Sequence, residues 1–180
     1  RYPGARCDVE SWEYSYGFST ELEQEWRWSK RYAEQSEILA YLQYVAKKFN
    51  LLKDIYFSHK VVSMAFDSDS HHWKVSTDRG NWFTCNFCVL ATGNLSVPNY
   101  PAIEGDSDFK GEVYHTGKWP NKQIDFDKKS VAILGTGASA VQAIPVIAKV
   151  ARNVLILQRT PNWSIPANNR SLEEMEIDQV

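Results

Sequence analysis

The stretch that decides the fold runs from Val131 to Leu157 and reads VAILGTGASAVQAIPVIAKVARNVLIL. Residues 131–134 form a short apolar run that predicts a strand, residues 141–151 predict a helix, and residues 154–157 predict a second strand. Between the first strand and the helix, residues 135–140 read G-x-G-x-x-A, in the context that this pattern needs to bind a dinucleotide. The stretch therefore predicts one βαβ unit with parallel strands.

The glycine-rich turn has a specific physical purpose in such a unit. Gly135 permits the sharp turn, Gly137 lets the backbone approach a pyrophosphate, and Ala140 keeps the helix close to the strand. The N-terminus of the helix then offers unpaired N–H groups to the anion. A turn of the same composition without a ligand is the less favoured alternative. We expect these residues to bind the cofactor: Gly135, Thr136, Gly137, Ala138, Ser139, Ala140 and Gln142.

The residue that selects the dinucleotide is Arg159, which follows the second strand. An NAD-binding fold usually offers Asp or Glu to the ribose hydroxyls at this place, whereas an arginine fork grips a 2'-phosphate. We therefore predict NADPH over NADH, with Thr160 adding a hydroxyl contact.

The chain before residue 98 has a different pattern. A helix is predicted from Ser36, as N-cap, to Asn50, as terminator, and its apolar face carries Ile38, Leu42, Val45 and Phe49, widened by Leu39 and Ala46. Short alternating runs joined by polar turns follow and predict an antiparallel meander; they span residues 55–57, 60–66, 73–77 and 82–91. Prolines and glycines after Gly93 mark a domain boundary, which divides the chain into residues 1–98 and 99–180.

The composition narrows the classes of partner. A formal net charge of -2 provides no basic surface for nucleic acid, and the sequence lacks an apolar run of the roughly 20 residues that cross a bilayer. We expect neither partner, and we expect a cytoplasmic protein. His71 and His72 have no further ligands at metal-binding spacing, so no metal site is predicted.

Cys85 and Cys88 form C-x-x-C in a strand-like run, which favours buried thiols over a redox pair. The sequence does not indicate an oligomeric state.

Two further motifs identify a family. Residues 109–120 read F-x-G-x-x-x-H-x-x-x-W-P, and residues 1–8 read R-Y-P-G-A-R-C-D. Ala-Thr-Gly at residues 91–93 and Gln-Arg-Thr-Pro at residues 158–161 fit the same pattern. The chain resembles the flavin-containing Baeyer-Villiger monooxygenases, and the likeness extends through most of its length.

The resemblance implies an α/β flavoprotein with two dinucleotide-binding domains. Residues 1–98 would be part of the FAD-binding domain, including the meander, and residues 99–180 the start of a Rossmann-like NADP-binding domain. The implied activity inserts one oxygen atom of dioxygen beside a ketone carbonyl, giving an ester or lactone, with NADPH reducing FAD. Oxidation of nitrogen or sulfur, or a non-catalytic NADP-binding module, are the alternatives. The family's first glycine motif and its C-terminal half are not in this sequence, so we expect this chain alone to be inactive.

The resemblance also assigns site residues. It implies that Arg6, Cys7 and Asp8 run past the flavin and the nicotinamide, with Asp8 catalytic because a carboxylate tunes a partner arginine; without the resemblance, a turn or capping role for Asp8 is equally favoured. Tyr14 and Val61 are further expected cofactor contacts, and Val9 and Gln35 are expected near the substrate pocket. In the 109–120 motif, we expect His115 to fix the loop and gate cofactor movement, in preference to acting as a base. Phe109, Gly111, Trp119 and Pro120 are the other motif residues, with Phe109 and Trp119 anchoring the loop by packing.

Overall fold

The computed structural model describes residues 2–172. Three α-helices and five β-strands are present in this part of the chain. In chain order they are α1 (Thr20–Glu25), α2 (Gln35–Lys48), β1 (Val61–Asp67), β2 (His72–Thr77), β3 (Trp82–Cys85), β4 (Ser130–Leu134), α3 (Ala138–Ala148) and β5 (Asn153–Leu157). Single 3-10 turns occur at Ser11–Tyr14, Leu51–Asp54, Asp106–Asp108 and Thr116–Lys118.

The chain divides into two compact units. The larger unit combines residues 1–46 with residues 98–180, and the smaller unit is residues 47–97. The α/β fold with an antiparallel meander and a parallel strand pair agrees with the fold class predicted from the sequence. The assignment of residues 1–98 to FAD and residues 99–180 to NADP stays a prediction.

The βαβ unit lies in the larger unit. Strands β4 and β5 pair in parallel, with Ser130 opposite Asn153 and Leu134 opposite Leu157. Helix α3 connects them, and its residues Ala143 and Ile147 are buried. The helix occupies Ala138–Ala148, three residues earlier at both ends than the predicted 141–151. The small residues 138–140, which were predicted to close the glycine-rich turn, form the first turn of the helix. Apolar periodicity alone does not detect them.

The core of the larger unit is built around helix α2. Its buried residues are Cys7, Leu22, Trp28, Ala33, Tyr41 and Val45, with Trp26, Tyr32, Ile38, Tyr44 and Leu172 packed against them. The ring of Tyr41 lies 5.1 Å from that of Trp28 and 5.2 Å from that of Trp26, and its hydroxyl accepts a hydrogen bond from Tyr16 N–H.

The predicted face of α2 needs two corrections. Leu42 and Leu39 were expected in the core but are 44% and 45% exposed, because the aromatic cluster draws Tyr41 inward and rotates the buried face. Helix α2 begins at Gln35, so Ser36 lies in its first turn and is not the N-cap. Asn50 has a left-handed backbone (φ 51°), in agreement with its predicted role as terminator.

The smaller unit contains the predicted meander. Strands β1, β2 and β3 form one antiparallel sheet in sequence order. Two expectations are wrong: residues 55–57 are not a strand, and β3 ends at Cys85 instead of residue 91. Beyond Cys85, the hydrophobic residues Phe87, Val89 and Leu90 are 87%, 85% and 67% exposed. They are therefore neither paired in a strand nor buried.

Candidate functional site

The glycine-rich turn joins the carboxyl end of β4 to the start of α3. Gly135 has φ 97°, and its N–H donates to the carbonyl oxygen of Leu157 over 2.8 Å. A Cβ at Gly135 or at Gly137 would meet no atom within 4 Å, so the space above the turn is open. The first N–H groups of α3 lack partners within the helix and can bind an anion. The turn therefore fits the pyrophosphate that the sequence predicts.

Hydrogen bonds connect this turn to the residues that follow β5. Thr136 Oγ1 accepts from the side-chain amide of Gln158 over 2.7 Å and from that of Asn162 over 3.5 Å. Because both contacts use acceptor positions, the hydroxyl hydrogen of Thr136 stays available for an anionic oxygen. Arg159 and Thr160 are exposed and lie between these two amide side chains in the chain. The structure thus brings the turn and the predicted 2'-phosphate residues to the same edge of the parallel sheet.

The segment Tyr2–Asp8 forms a second part of the larger unit. Cys7 N–H donates to Ala33 O over 3.0 Å, and Gln35 N–H donates to Ala5 O over 2.9 Å. Arg6 Nε donates to Gly4 O over 3.2 Å, which curls that side chain back along the segment. Arg1, the first residue of the motif, lies outside the described residues.

Cys7 is directed into the core. It is 4% exposed, and its thiol contacts Ala33 O at 3.4 Å and Ser11 Oγ at 3.9 Å. Burial raises the pKa of the Cys7 thiol, so the thiol stays neutral and unreactive. The cofactor contact expected at Cys7 stays a prediction. Because the side chain points into the core, only the backbone of Cys7 could make that contact.

Asp8 and Tyr14 lie next to each other at the surface of this segment. Partial burial, followed by the negative charge of Asp8, raises the pKa of the Tyr14 phenol. Asp8 and Val9 are exposed, and Tyr14 is 39% exposed. The structure places Asp8 close enough to Tyr14 for its charge to act on the phenol, and the cofactor roles that the resemblance assigns to Arg6, Asp8 and Tyr14 stay predictions.

The side chain of Gln142 bonds the segment Tyr2–Asp8, and the cofactor contact expected of this residue stays a prediction. Its Oε1 accepts from Tyr2 O–H over 2.8 Å and from Arg6 N–H over 3.2 Å. Its Nε2 donates to Arg6 O over 3.2 Å. No pattern within the sequence indicates this contact, because the partners are 136 to 140 positions apart.

The motif at residues 109–120 is organised by its own side chains. His115 Nδ1 accepts from Gly117 N–H over 3.0 Å and so caps the 3-10 turn Thr116–Lys118, and the His115 ring lies 4.8 Å from that of Tyr100. This arrangement suits a residue that fixes a loop. The gating role of His115 stays a prediction.

Two aromatic residues of the motif differ in their packing. Trp119 contacts Tyr114 and Phe126, with ring separations of 5.6 and 6.2 Å. Phe109 is 63% exposed, and the role expected of it, anchoring the loop by packing, stays a prediction. Its ring lies over Gly111, where an added Cβ would come within 2.5 Å of Phe109 Cζ. This contact explains why glycine follows two residues after the phenylalanine.

An ionic contact joins the motif to the βαβ unit. Lys129, which precedes β4, bonds Glu112 over 3.1 Å, and Tyr114 O–H donates to the same carboxylate over 2.8 Å. The hydrogen bonds from Tyr114 and then from Lys129 lower the pKa of Glu112. Trp119 and Pro120, at the end of the motif, line a groove of about 720 Å³ with Leu39, Ile147 and Val150. The groove lies at the C-terminal end of α3, whereas the glycine-rich turn lies at the N-terminal end of the same helix.

Other predicted features are located as follows. Val61 begins β1 in the smaller unit and is 49% exposed. Cys85 and Cys88 are free thiols and only half-buried, whereas the sequence predicted buried thiols. Desolvation raises the pKa of Cys85.

Among residues 2–172, no group of three or more His, Cys, Asp or Glu side chains is arranged to hold a metal ion. Within the same residues, no helix is long and apolar enough to cross a membrane.

The fold and the glycine-rich turn define an α/β protein of the kind that binds nucleotide cofactors. The family model described as pyridine nucleotide-disulphide oxidoreductase matches residues 12–175. The chain belongs to this family.

Two curated relatives cover nearly the whole chain. A Baeyer-Villiger monooxygenase of Pseudooceanicola batsensis is 38% identical over 98% of this chain and 32% of its own length. A phenazine N-monooxygenase of Lysobacter antibioticus is 39% identical over 98% of this chain and 32% of its own length. The chain thus spans about a third of the length of these relatives.

Solved structures give the same result for the fold. An oxidised steroid monooxygenase bound to NADP superposes with a TM-score of 0.92 and 49% identity, over 99% of this chain and 34% of the other. A complex of OTEMO with FAD and NADP superposes with a TM-score of 0.90 and 37% identity, over 99% and 35%. The resemblance to the Baeyer-Villiger monooxygenases is confirmed.

Proposed function

We propose that this chain is the nucleotide-binding part of an FAD- and NADPH-dependent monooxygenase that converts ketones into esters or lactones with dioxygen. The observation that carries the proposal is the junction of the glycine-rich turn and the residues after β5. There, an open turn, a helix N-terminus and an exposed arginine share one sheet edge. Relatives of this chain carry the Baeyer-Villiger name, and a structural neighbour is a complex with FAD and NADP.

The residues of the junction divide the work of binding the nucleotide. The backbone N–H groups at the start of α3 bind the pyrophosphate, and Thr136 adds its hydroxyl. The guanidinium of Arg159 grips the 2'-phosphate, and Thr160 supports it. FAD and NADPH supply the redox chemistry when bound.

The pair Asp8 and Tyr14 forms the flavin side of the proposed site. The Asp8 carboxylate is exposed and its charge acts on the Tyr14 phenol, so a cationic partner can pair with the carboxylate at this surface. His115 orders the loop of residues 109–120. The cytoplasmic location and the ketone and dioxygen partners belong to the same proposal.

The direct test is nucleotide titration of the 180-residue chain and of Arg159→Ala. We expect wild type to bind NADPH more tightly than NADH. Since a hydrogen bond to a charged group contributes about 1.5–3 kcal/mol, the variant should weaken NADPH binding by about 10- to 100-fold and leave NADH binding nearly unchanged.

Arg152→Ala is the matched control for this titration. Arg152 is also exposed but precedes β5, at the opposite end of the strand from Arg159. It should bind NADPH as wild type does. Equal NADPH affinity in Arg159→Ala and in wild type would refute the assignment of Arg159.

Nitrogen oxidation is a second candidate activity. The phenazine N-monooxygenase that matches this chain at 39% identity favours it. Product analysis of the enzyme expressed from the full reading frame, with a cyclic ketone, an aromatic amine and a thioether, separates the two activities. Lactone formation supports the first proposal, and N-oxide formation without lactone overturns it.

A further inference from the structure

We propose that Gln142 is a positioning residue that fixes the segment Tyr2–Asp8, and therefore Asp8, against helix α3. The proposal rests on the proposed function only where it concerns the cofactors. Together, the contacts of Tyr2, Gly4 and Arg6 with α3 form what we call the α3 latch.

The hydrogen-bonding groups of Gln142 match those of the segment. Its oxygen accepts from Tyr2 O–H and Arg6 N–H, and its nitrogen donates to Arg6 O. One side-chain amide thus satisfies both backbone groups of Arg6, as a neighbouring strand would. An ionised glutamate has no donor for Arg6 O, and leucine has neither group, so the amide is the side chain that suits this place.

The second component of the latch is the close approach of Gly4 to the helix. Gly4 has φ 76°, and a Cβ there would lie 2.3 Å from Gln142 O and 3.0 Å from Val146 Cγ2. The first contact is with the helix backbone, which cannot move without disturbing α3. Glycine is therefore required for both the conformation and the space, independently of the bonds made by the Gln142 amide.

The segment is held on its other side by the entry to α2. Bonds from Cys7 N–H to Ala33 O and from Gln35 N–H to Ala5 O fix that side. The start of α2 and helix α3 thus hold the segment between them. Because Gln142 lies one helical turn after Ala138, where the glycine turn ends, the latch sets the position of Asp8 relative to the nucleotide-binding turn.

Hydrogen exchange and nucleotide binding together test this role in the 180-residue chain. In Gln142→Leu, we expect exchange at Arg6 N–H to become about tenfold faster or more, since its acceptor is lost. The dissociation constant for NADP⁺ should stay within about twofold of wild type, because the side chain binds protein and not nucleotide. Gln43→Leu, at an exposed position of α2, is the control and should change neither quantity.

Two further measurements distinguish positioning from general destabilisation. Release of the segment should separate Asp8 from Tyr14, so the pKa of the Tyr14 phenol, followed by NMR of a ring-labelled sample, should fall towards its ordinary value in Gln142→Leu. Tyr2→Phe, which retains the ring, should speed exchange at Arg6 in the wild-type background and have no further effect in Gln142→Leu. This variant keeps the test valid if Gln142→Leu does not fold.

The outcomes are distinct. A loss of NADP⁺ affinity of tenfold or more, with unchanged exchange at Arg6 N–H, would identify Gln142 as a nucleotide ligand and overturn the latch. Unchanged exchange in both Gln142→Leu and Tyr2→Phe would overturn it as well. If wild type binds no NADP⁺, the proposed function fails, but the exchange and Tyr14 measurements still decide the positioning role.

Discussion

Replacement of Gly4 by alanine tests the close approach of the segment Tyr2–Asp8 to the backbone of helix α3. The left-handed backbone at φ 76° costs a non-glycine residue about 1–2 kcal/mol. A Cβ at 2.3 Å from Gln142 O also clashes with the helix, and overpacking of this kind costs about 1–3 kcal/mol. Gly4→Ala should therefore lower the free energy of unfolding by about 2–5 kcal/mol in total.

Gly105 provides a control within the same unit. It has φ 75°, but the nearest atom to an added Cβ is Asp108 Oδ2 at 3.5 Å, an ordinary contact with a mobile carboxylate. Gly105→Ala should show the backbone cost alone. The difference between the two variants, about 1–3 kcal/mol, measures the clash.

Urea denaturation followed by tryptophan fluorescence gives both values, because Trp26 and Trp28 lie in or against the core of the larger unit. Equal losses of stability in the two variants would refute the reasoning, since the backbone conformation would then account for the whole effect. Preserved stability in Gly4→Ala would show that the segment can withdraw from α3 without cost.

Two other predictions concern the core. Leu22→Ala, at a side chain with 0% exposure, should cost about 2–5 kcal/mol in urea denaturation, whereas Leu42→Ala, at 44% exposure, should cost far less; similar losses would contradict the burial seen here. Burial raises the pKa of the Cys7 thiol in the folded state. The neutral thiol therefore makes its full contribution to stability below the ordinary pKa of 9.0, and this contribution is lost as the pH rises through the raised pKa. Cys7→Ala should flatten the alkaline side of the stability profile, and a disulfide reagent at neutral pH should modify Cys85 and Cys88 before Cys7; immediate modification of Cys7 would contradict this.

The sequence predicts those elements whose signals are local. The βαβ unit follows from two apolar runs around a glycine-rich turn, and the meander follows from alternation between polar turns. Strand β3 ends earlier than its composition predicts, because a run of strand-like residues does not say where pairing stops. The buried face of α2 is misjudged for a related reason, since Tyr41 is drawn inward by Trp26 and Trp28, which lie outside the helix.

The candidate site shows the same division. The roles of the turn at residues 135–140 and of Arg159 could be predicted from their local sequence context. The structure brings them to one sheet edge. The contacts of Gln142 with Tyr2 and Arg6 have no local signature. A glutamine in a helix reads as a surface residue or as a ligand contact, and only the fold reveals that its amide bonds distant backbone.

The approach of Gly4 to helix α3 has a consequence for protein engineering. A chimera that imports the glycine turn and helix α3 from a relative also imports a new partner for residues 2–6, because the helix backbone and the residue at position 142 meet them directly. Grafts aimed at changing nucleotide preference should therefore exchange the helix and the N-terminal segment as one cassette. A graft of the helix alone would carry its own glycine turn and still displace residues 2–6, and with them the Asp8 carboxylate.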